Sequence, residues 1–195
     1  MPRPREFDKD DVLDKAMMLF WARGFETASV RDLTGVMGIS SSSLYETFGD
    51  KHAVYMAALE RYCQQEQARM AHIAETAADP AEFIRSLFAS LNTVVADVST
   101  QGSLAFNAMV EFGTRDTDVS KQLLHHYTQI TAIVTRTIER WQLTGSVNEK
   151  VPAEALAHLI LSTLIGVITV ASVDTRYARR DDLAQLILRL LQPTF

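Results

Sequence analysis

Between Thr27 and His52 the chain gathers hydroxyls, a phenol, a carboxylate and two cations at spacings suited to gripping a phosphodiester backbone and touching base edges. Ser40, Ser41, Ser42 and Ser43 form a run of short hydroxyl side chains. At the start of a helix such a run lets the helix N-terminus press close to an anionic surface, where its free amides favour phosphate. Tyr45 adds a phenol and Glu46 a carboxylate. A carboxylate repels phosphates but can accept from the cytosine amino group in a major groove, so Glu46 reads either as a specificity residue or as an outward bystander. Around this run stand Thr27, Ser29, Arg31, Lys51 and His52. Arg3 and Arg5 lie on a Pro-punctuated arm, free to reach a phosphate or a minor groove.

The same stretch carries the signals that would position these groups. Ser29 with Asp32 three residues on is the pattern of a helix start in which both side chains satisfy first-turn amides. Val30, Leu33 and Val36 or Met37 follow as an apolar face. Gly38 falls where the helix must stop, and Ile39 can plug the corner. Ser40 can then cap a second helix whose Leu44 and Phe48, four apart, face inward together and leave the other face for a partner. Two short helices so joined over 29–48 describe a helix-turn-helix, with the second as the reading element.

With its flanks included, the stretch resembles the tetracycline-repressor (TetR) family of transcription regulators. The run Val12 to Ala28, with Gly24 and Phe25, is similar to that family's first helix and its glycine-aromatic exit, and Tyr45, Phe48, Gly49 and Lys51 fit its second-helix signature. The likeness covers roughly residues 7–62. It implies an all-α protein of about nine helices: a three-helix DNA-binding domain over residues 6–66 and a regulatory, ligand-binding and dimerisation domain over 67–195. It also implies a homodimer, a small-molecule effector and repression as the default outcome.

Charge does not advertise a nucleic-acid partner. The net charge is −5, and residues 1–51 hold seven Lys or Arg against nine Asp or Glu. Local placement must therefore do what total charge does not. The acids Asp8, Asp10, Asp11 and Asp14 begin the first helix and suit its dipole. With so few cations, affinity should lean on helix-end amides, hydroxyls and dimerisation, and its salt dependence should be modest. The N-terminus lacks the apolar core of a secretory signal, and one cysteine, Cys63, excludes an internal disulfide framework; both fit the cytoplasm.

Beyond Tyr62 the periodicity is helical throughout. Asp50 can cap a long helix that serves as the lever between domains, and Asp79-Pro80 opens another carrying Phe83, Ile84, Leu87, Phe88 and Leu91. A helix over 103–112 closes at Gly113, and a long one from Asp118 to about Leu143 turns Leu123, Tyr127, Ile130, Val134, Ile138 and Trp141 inward. Ala155 to Val173 is nearly uncharged and almost long enough to span a bilayer, but His158, Ser162, Thr163, Thr169 and Ser172 interrupt it and no aromatic belt brackets it. It reads as a helix buried partly in its own core and partly against a second copy, with a final amphipathic helix after Asp182. As the resemblance implies, these two helices doubled by symmetry form a four-helix interface. Its expected residues are Leu161, Ser162, Ile165, Ile168, Thr169, Leu183, Leu186, Ile187 and Leu190.

Phe88, Asn92, Phe106, Met109, Phe112, Tyr127, Thr131, Val134 and Trp141 lie on helices expected to surround one cavity, aromatic walls with a few polar handles, suited to a small and largely apolar ligand. The same stripes also describe ordinary core. Enzyme chemistry finds no support: His125 and His126 are adjacent and cannot chelate as an i, i+4 pair would, and no HExxH, phosphate loop or nucleophile elbow occurs. No motif requires a cofactor or metal. The competing expectation is an all-helical small-molecule carrier or interaction protein with a repurposed helix-turn-helix.

Overall fold

The computed structural model describes residues 7–96, 102–178 and 180–193, with only the backbone described for 92–96, 175 and 178. Among these residues it is all-α, with nine α-helices and one short 3₁₀ turn. In order they are α1 (Lys9–Arg23), α2 (Val30–Met37), α3 (Ser41–Phe48), α4 (Lys51–Thr76), α5 (Pro80–Ala96), α6 (Leu104–Phe112), α7 (Thr117–Leu143), α8 (Ala153–Ala171), the turn Thr175–Ala178 and α9 (Asp181–Leu191). The expected starts and stops hold to within two residues; the 3₁₀ turn carries no periodicity that would announce it.

The helices sort into two compact units. One contains α1 to α3, α4 as far as Gln65, and Leu104–Gln122; the other contains Glu66–Ser103 and the chain from Leu123 onward. A linear division at residue 66 would leave Leu104–Gln122 with the C-terminal part, whereas α6 packs on α1.

In the first unit, α1 packs on α2 and α2 on α3. Val12, Ala16, Phe20, Leu33, Leu44, Val54, Tyr55 and Leu59 are buried. An aromatic group ties the unit together: Tyr55 meets Phe20, Phe25 and Phe112 at ring separations of 4.9, 5.2 and 5.1 Å. Such pairs add directional packing to simple burial. Arg61 of α4 grips Asp14 of α1 with both Nε and Nη2, a bidentate bond that holds the Asp14 carboxyl below its ordinary range.

The second unit is built on one apolar cluster to which α5 contributes Phe83, Ile84, Leu87 and Leu91, α7 contributes Ile130, Val134, Ile138 and Trp141, and α9 contributes Ala184, Ile187 and Leu191. Phe83 and Trp141 meet at 5.4 Å, inclined by 64°. As the sequence suggests, Asp79 caps α5 by accepting from the Glu82 amide at 2.7 Å, and Glu82 returns to accept from the Ala78 amide.

Helix α8 is long and apolar enough to cross a membrane by length and composition. It nevertheless gives Ala153, Leu156, Ala157, Ile160, Leu161, Leu164, Val167 and Ile168 to the cluster. Of the expected dimer surface, Leu161, Ile168 and Ile187 turn into the core of their own chain. Ser162, Leu186 and Leu190 are exposed, Ile165, Thr169 and Leu183 are half-buried, and Leu159, Val170 and Val173 join the exposed set. A helix that is apolar nearly all round does not disclose from sequence which of its apolar faces meets its own core.

Candidate nucleic-acid interface

The reading element is fixed by three local devices. Ser29 and Asp32 form a reciprocal capping box at the start of α2: the Ser29 hydroxyl accepts from the Asp32 amide at 3.1 Å, and the Asp32 carboxylate accepts from the Ser29 amide at 3.0 Å. Gly38 ends α2 in the left-handed region (φ 68°, ψ 29°), a conformation costly to any residue with a Cβ. Ser40 caps α3 by accepting from the Ser43 amide at 3.1 Å, and its hydroxyl lies 2.9 Å from those of Ser42 and Ser43. Leu44 is then wholly buried beneath α3, which sets the helix's rotation about its axis.

That rotation sorts the expected contact residues. Ser41, Ser42, Glu46 and Tyr45 are exposed, Tyr45 by 51%, and form the free face of α3. Arg31 on α2 and Thr27 before it are exposed as well. Ser29 and Ser40 are exposed but occupied as caps, and Ser43 is half-buried. Arg3 and Arg5 lie outside the described residues.

Lys51 opens α4, with Asp50 as cap accepting from the Ala53 amide at 2.7 Å. Its ammonium sits 4.3 Å from the centroid of the Phe25 ring and 3.5 Å from the Glu26 carbonyl oxygen. His52, expected beside Lys51 on the DNA side, is instead engaged at 2.7 Å with the Asp116 carboxylate. Amide donors led by Val119, together with His52, hold the Asp116 carboxyl below its ordinary value. Neither Phe25 nor Asp116 stood out in sequence as a partner of the basic residues; the cue for Phe25 was its place in the glycine-aromatic exit after α1.

The expected ligand residues fall in both units. Phe112 belongs to the aromatic group of the first unit, at 5.3 Å from Phe25. Met109 is exposed and Phe106 half-buried on the same helix. Phe88, Val134 and Trp141 fill the apolar cluster of the second unit, and the side chain of Asn92 lies outside the described residues.

Tyr127 and Thr131 do come together. They line a cavity of about 360 Å³, open to the surface, with Thr128, Thr135, Arg136 and Glu139 of α7 and Glu154 and His158 of α8. Thr128, Thr137, Thr163 and Thr169 all give their hydroxyls to the carbonyl four residues back, as helical threonines commonly do. Those of Thr131 and Thr135 are buried and find no partner among the described residues. Thr135 lies one helical turn beyond Thr131, a spacing by which the sequence could have flagged it. Among the described residues no group of three or more His, Cys, Asp or Glu side chains is placed to hold a metal ion.

Comparison with known proteins agrees with this geometry. Residues 12–58 match the model described as bacterial regulatory proteins, tetR family, and residues 80–187 match the tetracyclin repressor-like C-terminal domain. The transcriptional repressor ComR of Escherichia coli (strain K12) is 42% identical over 67 residues, about a third of each chain. The uncharacterized HTH-type regulator YezE of Bacillus subtilis (strain 168) is 25% identical over 193 residues, 98% of this chain and all of that one. A cysteine mutant of the TetR family regulator CifR, solved with a 26 bp operator DNA, superposes with a TM-score of 0.80 at 26% identity, covering 97% of this chain and 99% of that one.

Proposed function

Because the chain belongs to the TetR family of bacterial regulatory proteins, we propose that it is a one-component transcriptional repressor that binds a palindromic operator as a homodimer and leaves it when a small molecule binds. The observation that carries this reading is the orientation of α3. Leu44 anchors one side, while Ser41, Ser42, Tyr45 and Glu46 stand free on the other, at the end of a helix whose first amides and neighbouring Lys51 suit a phosphate backbone. CifR, which superposes on this chain over 99% of its own length, was solved on operator DNA, and ComR is named a repressor.

In this reading residues 6–66 supply the DNA-binding function and 67–195 the regulatory one, acting in the cytoplasm. Leu159 and Val170 on α8 and Leu186 and Leu190 on α9 are exposed and apolar, and a second copy of the chain supplies their cover. Dimerisation matters mechanically: two reading helices one DNA turn apart recognise a palindrome jointly, so an effector that favours a different spacing lowers affinity without touching DNA. The α7–α8 cavity lined by Tyr127 and Thr131 is the proposed effector site, and its mixed lining favours a ligand with polar groups as well as an apolar body.

The test is a mobility-shift and footprinting assay on DNA flanking the gene that encodes the protein, with Tyr45→Ala and Lys51→Ala as controls. Protection of a palindrome that both substitutions weaken is the expected result. A protein that produces no sequence-specific shift at low salt is not a regulator, and the carrier reading then replaces this one.

A further inference from the structure

The turn that follows α1 binds a carboxylate from a distant helix. Gly24 leaves α1 with φ 76° and presents the next two amides in succession: Phe25 donates to Oε2 of Glu111 at 3.0 Å, and Glu26 donates to Oε1 of the same side chain at 2.9 Å. Two consecutive amides gripping one anion form a nest, the arrangement by which backbone binds phosphate or carboxylate. The positive φ favours glycine here, and a Cβ would stand 3.2 and 3.3 Å from the two carboxylate oxygens, close enough to push the Glu111 carboxylate back by a few tenths of an ångström. Glu111 itself sits at the end of α6, whose terminal carbonyls at Glu111 and Phe112 accept from Arg115.

The residues that form this nest are the ones that hold Lys51. The lysine ammonium lies over the ring of Phe25 and beside the carbonyl of Glu26, and these are the two residues whose amides Glu111 takes. The Phe25 ring that meets the cation is itself packed against Tyr55 and Phe112, which restrains it. A lysine has a flexible stem, and a partner surface that fixes its head group lowers the ordering cost of a later phosphate contact.

We infer that Glu111 is a positioning residue for operator binding: its carboxylate fixes the Phe25–Glu26 turn, and that turn places the Lys51 ammonium toward the phosphate backbone. The inference rests on the reading of Lys51 as a phosphate contact. It assigns to α6, far from α3 in sequence, a direct part in setting the basic side of the interface.

A double-mutant cycle tests it, using purified full-length protein and a duplex from the region flanking its own gene, at a temperature where each variant is folded by circular dichroism. Lys51→Ala should weaken binding by about tenfold and flatten the salt dependence, with a change in slope of about 2 for a dimer that loses one phosphate contact per subunit. Glu111→Ala should reproduce a large part of both effects, severalfold in affinity with a flatter salt slope. In the Lys51→Ala background it should add nothing. Glu111→Gln, which keeps the volume but turns an amide donor toward one of the two N–H groups, should behave like Glu111→Ala and serves if the alanine variant does not fold. Equal losses from Glu111→Ala with and without Lys51, or an unchanged salt slope, overturn the positioning role. If Lys51→Ala alone leaves affinity and slope untouched, the phosphate-contact reading of Lys51 fails first and takes the inference with it.

Discussion

The Tyr127 hydroxyl on α7 lies 3.1 Å from Nδ1 of His158 on α8, with the two rings 5.9 Å apart and 21° from parallel. This pairing forms one wall of the cavity whose lining includes Thr131 and Thr135, each with a buried hydroxyl and no partner among the described residues. A buried hydroxyl without a partner carries a desolvation cost of about 1–3 kcal/mol. Thr131→Val and Thr135→Val, which keep the shape and remove the hydroxyl, should therefore raise the unfolding midpoint in the absence of effector. If the hydroxyls serve ligand binding, the same variants should need more effector to release DNA. A lower midpoint on thermal denaturation would show that the hydroxyls are satisfied and the site is ordinary core.

The capping box at Ser29 supplies a stability prediction with a pH signature. The Asp32 carboxyl is held below the ordinary carboxylate range, first by the Ser29 hydroxyl and then by the Ser29 amide. A carboxyl whose folded pKa is depressed contributes stability that is fully present above its unfolded value of about 4 and is lost as pH falls through the lower folded value. Asp32→Asn should thus be less stable than the parent at neutral pH, with the gap closing below about pH 4. Ser29→Ala removes the other half of the box and should cost about 1 kcal/mol in urea titrations at pH 7.

The second unit depends on the Phe83–Trp141 contact at the centre of its apolar cluster. Phe83 is completely buried, so truncation to alanine leaves a cavity that rigid helices close only in part. The expected loss is about 3–5 kcal/mol, read by denaturant unfolding. Leu186→Ala, on an exposed residue of the same fold, should change monomer stability little and be felt in the dimer dissociation constant measured by sedimentation.

What could be read from sequence followed the range of the interactions. Ser29, Gly38 and Ser40 act on residues within five positions of themselves, so their types and spacing sufficed to describe the helix-turn-helix. His52 could not be placed in the same way, because Asp116 is 64 residues away and only the packing of the first unit brings them together. The ligand list mixed core with cavity for a related reason. A period of 3.6 marks a buried stripe, and Val134 and Trp141 share that stripe with Thr131 whether the neighbouring space is filled or open.

On α3 the sharpest question is how a reading helix without a cation chooses its bases. Ser41, Ser42, Tyr45 and Glu46 are its exposed groups, and the acid is the one that distinguishes bases most strongly, since it accepts from cytosine and is repelled by phosphate. A carboxylate held against a cytosine amino group would make Glu46→Gln change the preferred base at one position of each half-site, with a discrimination loss of about 1–3 kcal/mol there. A carboxylate that only stands near the backbone would give a different result: every sequence would bind Glu46→Gln more tightly and by a similar factor, because the repulsion it relieves is blind to sequence. Selection of binding sites from a randomised half-site library, run in parallel for the parent and Glu46→Gln, separates these outcomes. A shifted base preference is the expected one, and a uniform gain would reduce Glu46 to a charge on the rim.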